Sequence, residues 1–370
     1  MKENHAVALG LAVAGLFLSA VPCMAQSSLT EETLEAIPTA EVPDVGFRNG
    51  SFLAVPIPFS NPTIGSGVAG GAAWLYTTDP ESNTSSIGFG GFRTDNGSEG
   101  FAFGADLNLN ANRYKLSVLA GSLDLKYDFT AGGLDLPLEQ SGDLYKIDLS
   151  YGLTKEFSIG FGLQYAKTAI STNFGGVLPP EVSTALNLDV FKYGLIAEWD
   201  RRDSDLYPTT GSLVTLDAFR GEVTGGRGQD YAKAVLQGSY FQPGLGPGSV
   251  LAVSGTLCRA SEKAPFFDAC SIGLTDGLRG FSVTEYLGSS LVSAQAEYRG
   301  RIGNSRWGYV AFGGAGRVNE IVSSLSGTHA AAGVGIRYRL SKSLPVDFSF
   351  DATTNNDGEQ LYYVFVGQSF

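Results

Sequence analysis

The chain has 370 residues, of which 43% are hydrophobic and 17% are charged, and its formal net charge is −12. An acidic chain does not suit nucleic acid, whose phosphates recruit Lys and Arg, so we expect no nucleic-acid partner. Gly is abundant, with 49 residues, and abundant Gly with little charge is unusual for a soluble domain of this length. Beyond the first 25 residues no run of about 18 apolar residues occurs, which excludes a bundle of transmembrane helices.

The first residues form an export signal. A charged start at Lys2 is followed by a run of apolar residues and by small residues that end at Ala25, the order found in cleavable secretory signals. We therefore divide the chain into a signal peptide at residues 1–25, a short acidic periplasmic leader at 26–49 and one domain at 50–370.

The cysteines fit an exported protein. Of the three cysteines in the chain, Cys258 and Cys270 lie outside the signal peptide. Exported proteins meet an oxidising compartment, in which disulfides form and persist. We therefore predict a disulfide between these two residues.

From about Ser51 onward the chain repeats one pattern, in which segments of alternating residues are separated by clusters of Gly, Asn, Asp, Pro and Ser, as strands are separated by turns. Residues 190–200 show two unlike faces, one with Phe191, Tyr193, Leu195, Ala197 and Trp199 and the other with Lys192, Gly194, Glu198 and Asp200. One face suits lipid and the other suits water, which is typical of a transmembrane β-barrel.

Counting such segments predicts sixteen strands, near residues 50–58, 64–76, 84–93, 98–109, 113–128, 143–153, 155–168, 188–200, 210–222, 229–241, 248–258, 287–300, 306–317, 327–340, 344–352 and 360–370. The longest connections, at 129–142, 169–187 and 259–286, follow odd-numbered strands. In an even-stranded barrel with both ends in the periplasm, long loops lie outside. We therefore predict an all-β fold, a sixteen-stranded antiparallel transmembrane β-barrel of bacterial outer-membrane type, surrounded by lipid and lipopolysaccharide.

No pattern predicts an enzyme, a cofactor or a metal site. Residues 65–70 match GxGxxG, but they open a strand, and a dinucleotide fingerprint must open a helix. After the signal the chain holds one His, His329, near Ser323, Ser324 and Ser326, and it lacks a G-x-S-x-G elbow. An outer-membrane lipid hydrolase remains a remote alternative, because such an enzyme needs only one His beside a Ser.

The C-terminal segment looks like the recognition signal of bacterial outer-membrane barrels, with Tyr362, Val364 and Val366 on one face and a final Phe370. Such a signal implies that assembly machinery inserts the barrel. Gln368 departs from the apolar residue usual at that spacing.

Three segments, mostly within residues 195–370, resemble the barrel of the BamA/TamA family of outer-membrane assembly proteins, also called bacterial surface antigens. The first resembles that family's periplasmic strand-turn-strand motif and comprises Asp200, Arg201, Arg202, Asp203, Pro208 and Gly211. The second is Leu278-Arg279-Gly280-Phe281, similar to the family's Arg-Gly-Phe or Arg-Gly-Tyr loop signature. The third is the closing stretch of four strands, with Asp351 on the third of them.

The resemblance implies that the loop folds back into the lumen, where its Arg contacts acidic groups of the inner wall. Glu297 is the expected partner of Arg279. Gly314 stands where the family usually has Asp, so we expect Glu297 to carry more of the contact, or Asp351 to assist.

The resemblance further implies a role in protein insertion or in substrate export. Family members that assemble barrels carry polypeptide-transport-associated (POTRA) domains before the barrel, and residues 26–49 are too few for one, so we expect a barrel without them. The alternative is a gated or passive pore without assembly activity. The sequence identifies no client or partner protein.

Overall fold

The computed structural model describes residues 46–369, except 62, 132–133, 173–186, 205–206, 225–228, 274, 276, 284, 321–326 and 340–346. The predicted signal peptide, most of the predicted leader and Phe370 lie outside the described residues. None of the described helices is long and apolar enough to span a membrane.

Antiparallel strands make up almost all of the described chain. Their bounds are β1 Ser51–Asn61, β2 Gly65–Thr77, β3 Thr84–Thr94, β4 Glu99–Leu109, β5 Tyr114–Ala131, β6 Leu134–Gly152, β7 Phe157–Thr172, β8 Leu188–Asp200, β9 Gly211–Thr224, β10 Tyr231–Pro243, β11 Val250–Ala260, β12 Cys270–Ser271, β13 Leu287–Arg301, β14 Trp307–Glu320, β15 Thr328–Arg339, β16 Asp347–Asn355 and β17 Gln360–Val366. Two short 3-10 helices, Phe47–Asn49 and Phe266–Asp268, complete the set.

Each long strand pairs with its neighbours in the chain, and β1 also pairs with β17, so that the sheet closes on itself. β12 has only two residues and pairs with β13 from within the connection between β11 and β13. The other sixteen strands form the wall. The predicted sixteen-stranded antiparallel barrel is therefore confirmed.

Alternation along the strands sets the two faces of the wall. On β8, Phe191, Leu195 and Trp199 are exposed on the outer face, whereas Lys192 between them is buried on the inner face. Successive side chains of a strand point to opposite faces. Apolar side chains therefore cover the outside of the barrel and most charged groups of the wall point into the lumen.

One predicted boundary is wrong. Residues 129–142 are not a long loop, because β5 runs to Ala131 and β6 begins at Leu134. The segment contains Gly, Asp, Pro and Ser, the residues that separate the strands in the predicted pattern. β6 pairs with β5 along this stretch, but its described register with β7 begins only at Leu138.

The apolar core of the barrel lies between the inner face of the wall and the connection between β11 and β13. We call this connection, residues 261–286, the lumen loop. Its Ile272, Leu278 and Phe281 are buried and pack against wall residues such as Leu291 and Val318. The interior of the barrel is thus filled from the loop as well as from the strands.

Candidate functional site

Arg279 lies in the C-terminal half of the lumen loop and contacts two strands of the inner wall. Its Nη2 lies 2.5 Å from Oε2 of Glu297 on β13, and its Nη1 lies 2.5 Å from Oδ2 of Asp351 on β16. Its guanidinium carbon lies 3.4 Å from the ring centre of Phe312. Arg279 is 6% exposed, and both carboxylates are fully buried. Buried charges are tolerated only when they are paired and hydrogen-bonded, as here.

Gly280 allows the loop to approach the wall closely. Its φ of +115° lies in a region that favours Gly, and a Cβ atom would stand 2.5 Å from Cβ of Ala331. Its N–H donates to Oη of Tyr363 at 2.8 Å, and its carbonyl accepts from Nδ2 of Asn355 at 2.9 Å. The Arg-Gly pair of the loop signature thus combines a charged contact with a close backbone contact.

Gly314 leaves room for the loop. A Cβ atom at this position would stand 2.7 Å from Cδ1 of Leu278 and 2.6 Å from Cβ of Gln295. An Asp side chain cannot occupy that space while Leu278 does. Asp351 supplies a carboxylate to Arg279 beside Glu297, so the guanidinium has two anionic partners despite the glycine.

A second charged contact holds the short helix of the loop. Asp268 accepts from Nζ of Lys192 at 2.9 Å and from Oη of Tyr231 at 2.5 Å through Oδ2, and from Nζ of Lys233 at 3.2 Å through Oδ1. Burial acts to raise the pKa of Asp268, but the two ammonium groups and the tyrosine hydroxyl outweigh it and hold this pKa well below its ordinary value. Asp268 therefore stays ionised in the lumen.

A disulfide joins the loop to the wall. Cys258 on β11 and Cys270 on β12 are bonded with an S–S distance of 2.04 Å and a Cα–Cα distance of 5.8 Å. Both residues are buried beside Leu278 and Phe281 in the same apolar cluster. The covalent link therefore lies close to the loop signature.

The C-terminal end of the loop contacts the turn between β16 and β17. Oη of Tyr286 donates to Oδ2 of Asp357 at 2.8 Å, and the Tyr286 ring lies 3.8 Å from the ring of His329. Burial is the main reason why the pKa of Glu285 is raised to about 7, and the nearby carboxylates of Glu359 and Asp357 add to it. His329 thus packs among loop aromatics, while Ser323, Ser324 and Ser326 lie outside the described residues.

The predicted periplasmic turn motif forms the connection between β8 and β9. Asp200 accepts from Nε of Arg202 at 3.0 Å and from its Nη2 at 2.7 Å. Asp203 accepts from the N–H groups of Thr209 and Thr210. Gly211 has a φ of +101°, and a Cβ atom there would stand 2.0 Å from the carbonyl oxygen of Arg201. These contacts hold the described ends of the turn, and Pro208 is buried.

The C-terminal residues lie on the last strand of the wall. Tyr362 is exposed on the outer face, Val364 pairs with Phe350 of β16 and with Ser60 of β1, and Val366 pairs with Phe348. Their role as an assembly signal remains a prediction.

Sequence reasoning missed several residues that hold the loop: Lys233, Asp268, Asn355 and Tyr363. One signal for the Asp268 contact was present, because Lys192 was predicted to face the lumen, and a buried ammonium group requires a carboxylate. Within the described residues no group of three His, Cys, Asp or Glu side chains is placed to hold a metal ion.

Sixteen antiparallel strands closed into a barrel, an apolar outer face and a charged inner face that contacts a folded-in loop define an outer-membrane β-barrel. The Omp85 superfamily domain matches residues 96–370. The chain belongs to the Omp85 superfamily.

Solved structures with the same fold include BamA from Haemophilus ducreyi lacking POTRA domains 1–3, which has a TM-score of 0.59 and 15% identity over 86% of this chain and 70% of that chain. CdiB from Escherichia coli has a TM-score of 0.63 and 16% identity, and CdiB from Acinetobacter baumannii has 0.58 and 12%. These matches cover 89% and 86% of this chain but only 63% and 59% of the CdiB chains. No curated protein matches the sequence.

Proposed function

We propose that the barrel inserts polypeptides into the outer membrane, or exports them across it, through the seam between β1 and β17. The seam is the observation that carries this proposal. Among the described residues its register consists of one pair, Ser60 with Val364, whereas β1 pairs with β2 from Ser51 to Asn61. Strand edges with few partners expose N–H and C=O groups to which another strand can bind.

The lumen loop supports the same role. Ile272, Leu278 and Phe281 are buried against the wall, and Arg279 crosses the interior to two strands. A lumen occupied in this way leaves little space for an open aqueous channel, whereas opening of the seam requires no free lumen. Membership of the Omp85 superfamily and the resemblance to outer-membrane assembly proteins agree with this assignment.

The experiment closes the seam covalently. Ser60→Cys and Val364→Cys, introduced together, place two thiols on directly paired residues of β1 and β17. The control pair is Val334→Cys with Ala352→Cys, which are partners on the adjacent strands β15 and β16. Both proteins keep the native disulfide, are oxidised after folding, and are reconstituted into liposomes with an unfolded client barrel.

We expect the oxidised seam variant to lose its acceleration of client folding and to regain it after reduction of the added disulfide. The control variant should retain its activity in both states, because β15 and β16 stay paired throughout. Equal activity of the oxidised and the reduced seam variant would exclude a seam that opens.

The second candidate is a gated pore without assembly activity. It is favoured by the polar contacts of the loop, because ion pairs of Arg279 and Asp268 hold it in addition to its apolar contacts. A gated pore predicts ion conductance that does not change when the seam is crosslinked. Conductance of the same two variants in planar bilayers therefore separates the two candidates.

A further inference from the structure

The outer face of β5, β6 and β7 carries an open apolar groove of about 610 Å³. Two rows of side chains that pair across the three strands line it: Tyr114, Tyr151 and Ile159 in one row, and Leu116, Leu149 and Phe161 in the next. The outward-facing residues of a transmembrane barrel contact lipid. The groove is therefore a place on the wall where a hydrocarbon chain can lie between side chains.

The groove begins at the end of the barrel opposite the lumen loop. The β4–β5 turn follows an even-numbered strand and the lumen loop follows β11, and antiparallel neighbours reverse direction at each connection. The row of Tyr114 lies beside the β4–β5 turn, because β5 begins at this residue, and the row of Leu116 lies further along the strands. Long loops of such barrels face outside. The groove therefore runs from the periplasmic surface of the membrane toward the middle of the bilayer.

One guanidinium group stands at the periplasmic end of the groove. The guanidinium carbon of Arg113, in the β4–β5 turn, lies 5.8 Å from the ring centre of Tyr151. The Tyr151 ring packs edge-on against Tyr114, with 5.5 Å between the ring centres. Arg113 is exposed and forms no ion pair within the described part of the chain. Its planar fork is thus available to a phosphate, which a guanidinium binds through two parallel hydrogen bonds.

The β4–β5 turn fixes the backbone of Arg113. Residues 110–112 all have a positive φ, between 53° and 62°, a conformation that residues other than Gly seldom adopt. The N–H of Ala111 donates to the carboxylate of Asp79 at 3.3 Å, and the carbonyl of Arg113 accepts from the N–H of Gly152 at 2.9 Å. Such conformations persist where the surrounding structure imposes them, and they cluster at ligand sites. Arg113 is therefore positioned beside the groove before any ligand binds.

We propose that the groove binds one anionic glycerophospholipid of the periplasmic leaflet, with its phosphate at Arg113 and an acyl chain between the two rows. The site changes along its length in the order that such a lipid requires, from a cation at the membrane surface through two tyrosines to Leu149 and Phe161. A single unpaired guanidinium favours an anionic lipid over a zwitterionic one, whose ammonium group it repels. An aromatic girdle alone has no such preference. The site is independent of the proposed role in handling polypeptides.

The test titrates the full chain in detergent, with the native disulfide intact, and follows bound lipid by native mass spectrometry. The parent should retain one phosphatidylglycerol and prefer it to phosphatidylethanolamine. Arg113→Ala should weaken the binding of phosphatidylglycerol about tenfold, the effect of one hydrogen bond to a charged group, and should abolish the preference. Leu149→Trp fills the groove with a larger side chain and should displace the lipid although Arg113 is still present.

Each variant has a matched control. Arg93→Ala removes an exposed guanidinium at the opposite end of the barrel, and Leu195→Trp enlarges an exposed leucine of the outer face on β8. Both should bind phosphatidylglycerol as the parent does, and heat-dependent gel mobility shows that every variant is folded. The proposal is overturned if Arg113→Ala or Leu149→Trp retains the lipid as well as its control. It is also overturned if Arg113 retains lipopolysaccharide in preference to phosphatidylglycerol, which would place the ligand in the other leaflet.

Discussion

Arg279 is a buried cation whose charge is neutralised by two carboxylates of the wall, Glu297 on β13 and Asp351 on β16. A planar guanidinium reaches both carboxylates with separate nitrogens, which the single ammonium group of a lysine cannot do. The stacked ring of Phe312 adds a further contact on its face. The contact is thus specific for Arg in its geometry as well as in its charge.

We predict that Arg279→Ala lowers the free energy of loop opening by about 3 to 5 kcal/mol, the usual cost of leaving a buried carboxylate without its partner. Glu297→Gln should cost less, because Asp351 still holds Arg279. The double variant should change the free energy of loop opening by less than the sum of the two single variants, because either substitution alone already breaks the pair of Arg279 and Glu297. Hydrogen exchange of the loop peptides measures these values, with exposed Arg93→Ala as control. Additive effects would show that the two residues act independently.

Gly314 shows how one residue limits inference from a resemblance. Position 314 supplies no carboxylate, as expected, and Leu278 occupies the space instead. Asp351 contacts Arg279 beside Glu297. The choice between Glu297 and Asp351 could not be made from the sequence, because β13 and β16 are separated by two strands of the barrel. Both reach Arg279 only because the loop crosses the lumen.

At the scale of elements, alternation made the strands predictable, since lipid on one side and water on the other require it. The β5–β6 hairpin was predicted too short because its Gly, Asp, Pro and Ser residues suggested a connection, whereas the two strands pair up to Ala131 and Leu134. The path of the lumen loop could not be predicted from periodicity. Its contacts join Asp268 to Lys192 and Lys233, residues distant in sequence that only closure of the barrel brings together.

The end of the lumen loop should respond to pH near neutrality. Glu285 has its pKa raised to about 7 by burial and by neighbouring carboxylates, above the value of about 4.3 in an unfolded chain. The stabilisation is therefore fully present below about pH 4 and is lost as the pH rises through 7. Ionised Glu285 then faces Asp357 and Glu359, and the contact of Tyr286 with Asp357 weakens.

We predict that the midpoint of thermal unfolding, followed by the gel mobility of the barrel, falls between pH 5 and pH 8, and that Glu285→Gln reduces this fall. Exposed Glu262→Gln, in the same loop, is the control and should behave as the parent. An unchanged pH dependence in Glu285→Gln would assign the effect to another group.

At the scale of the whole molecule, the lumen loop is held at separate points around the inner wall. The disulfide joins the loop to β11, and Asp268 pairs with lysines on β8 and β10. Arg279 pairs with carboxylates on β13 and β16, and Tyr286 donates to the turn after β16. When one contact is lost, the remaining contacts still hold the loop close to the wall, so the lost contact can form again. Loss of one contact should therefore release the loop much less than loss of two.

The mutual dependence of these contacts can be measured by reducing the disulfide, with Arg279→Ala as the only substitution in the loop. Closing a loop of this size constrains the unfolded chain by about 3 kcal/mol in the chain-entropy model, yet Cys270 is fully buried and β12 stays paired with β13. We predict that reduction of Cys258–Cys270 alone leaves the loop protected from hydrogen exchange, and that Arg279→Ala alone exposes mainly the residues near position 279. Reduction of the Arg279→Ala protein should expose the whole loop to hydrogen exchange. It should also raise the conductance of the barrel in planar bilayers by more than the sum of the increases from reduction alone and from Arg279→Ala alone. Exposed Arg93→Ala, treated with the same reductant, should match the reduced parent. If the effects of reduction and of Arg279→Ala on hydrogen exchange and conductance are simply additive, the contacts are independent. The loop is then held by separate attachments rather than by one cooperative set of contacts.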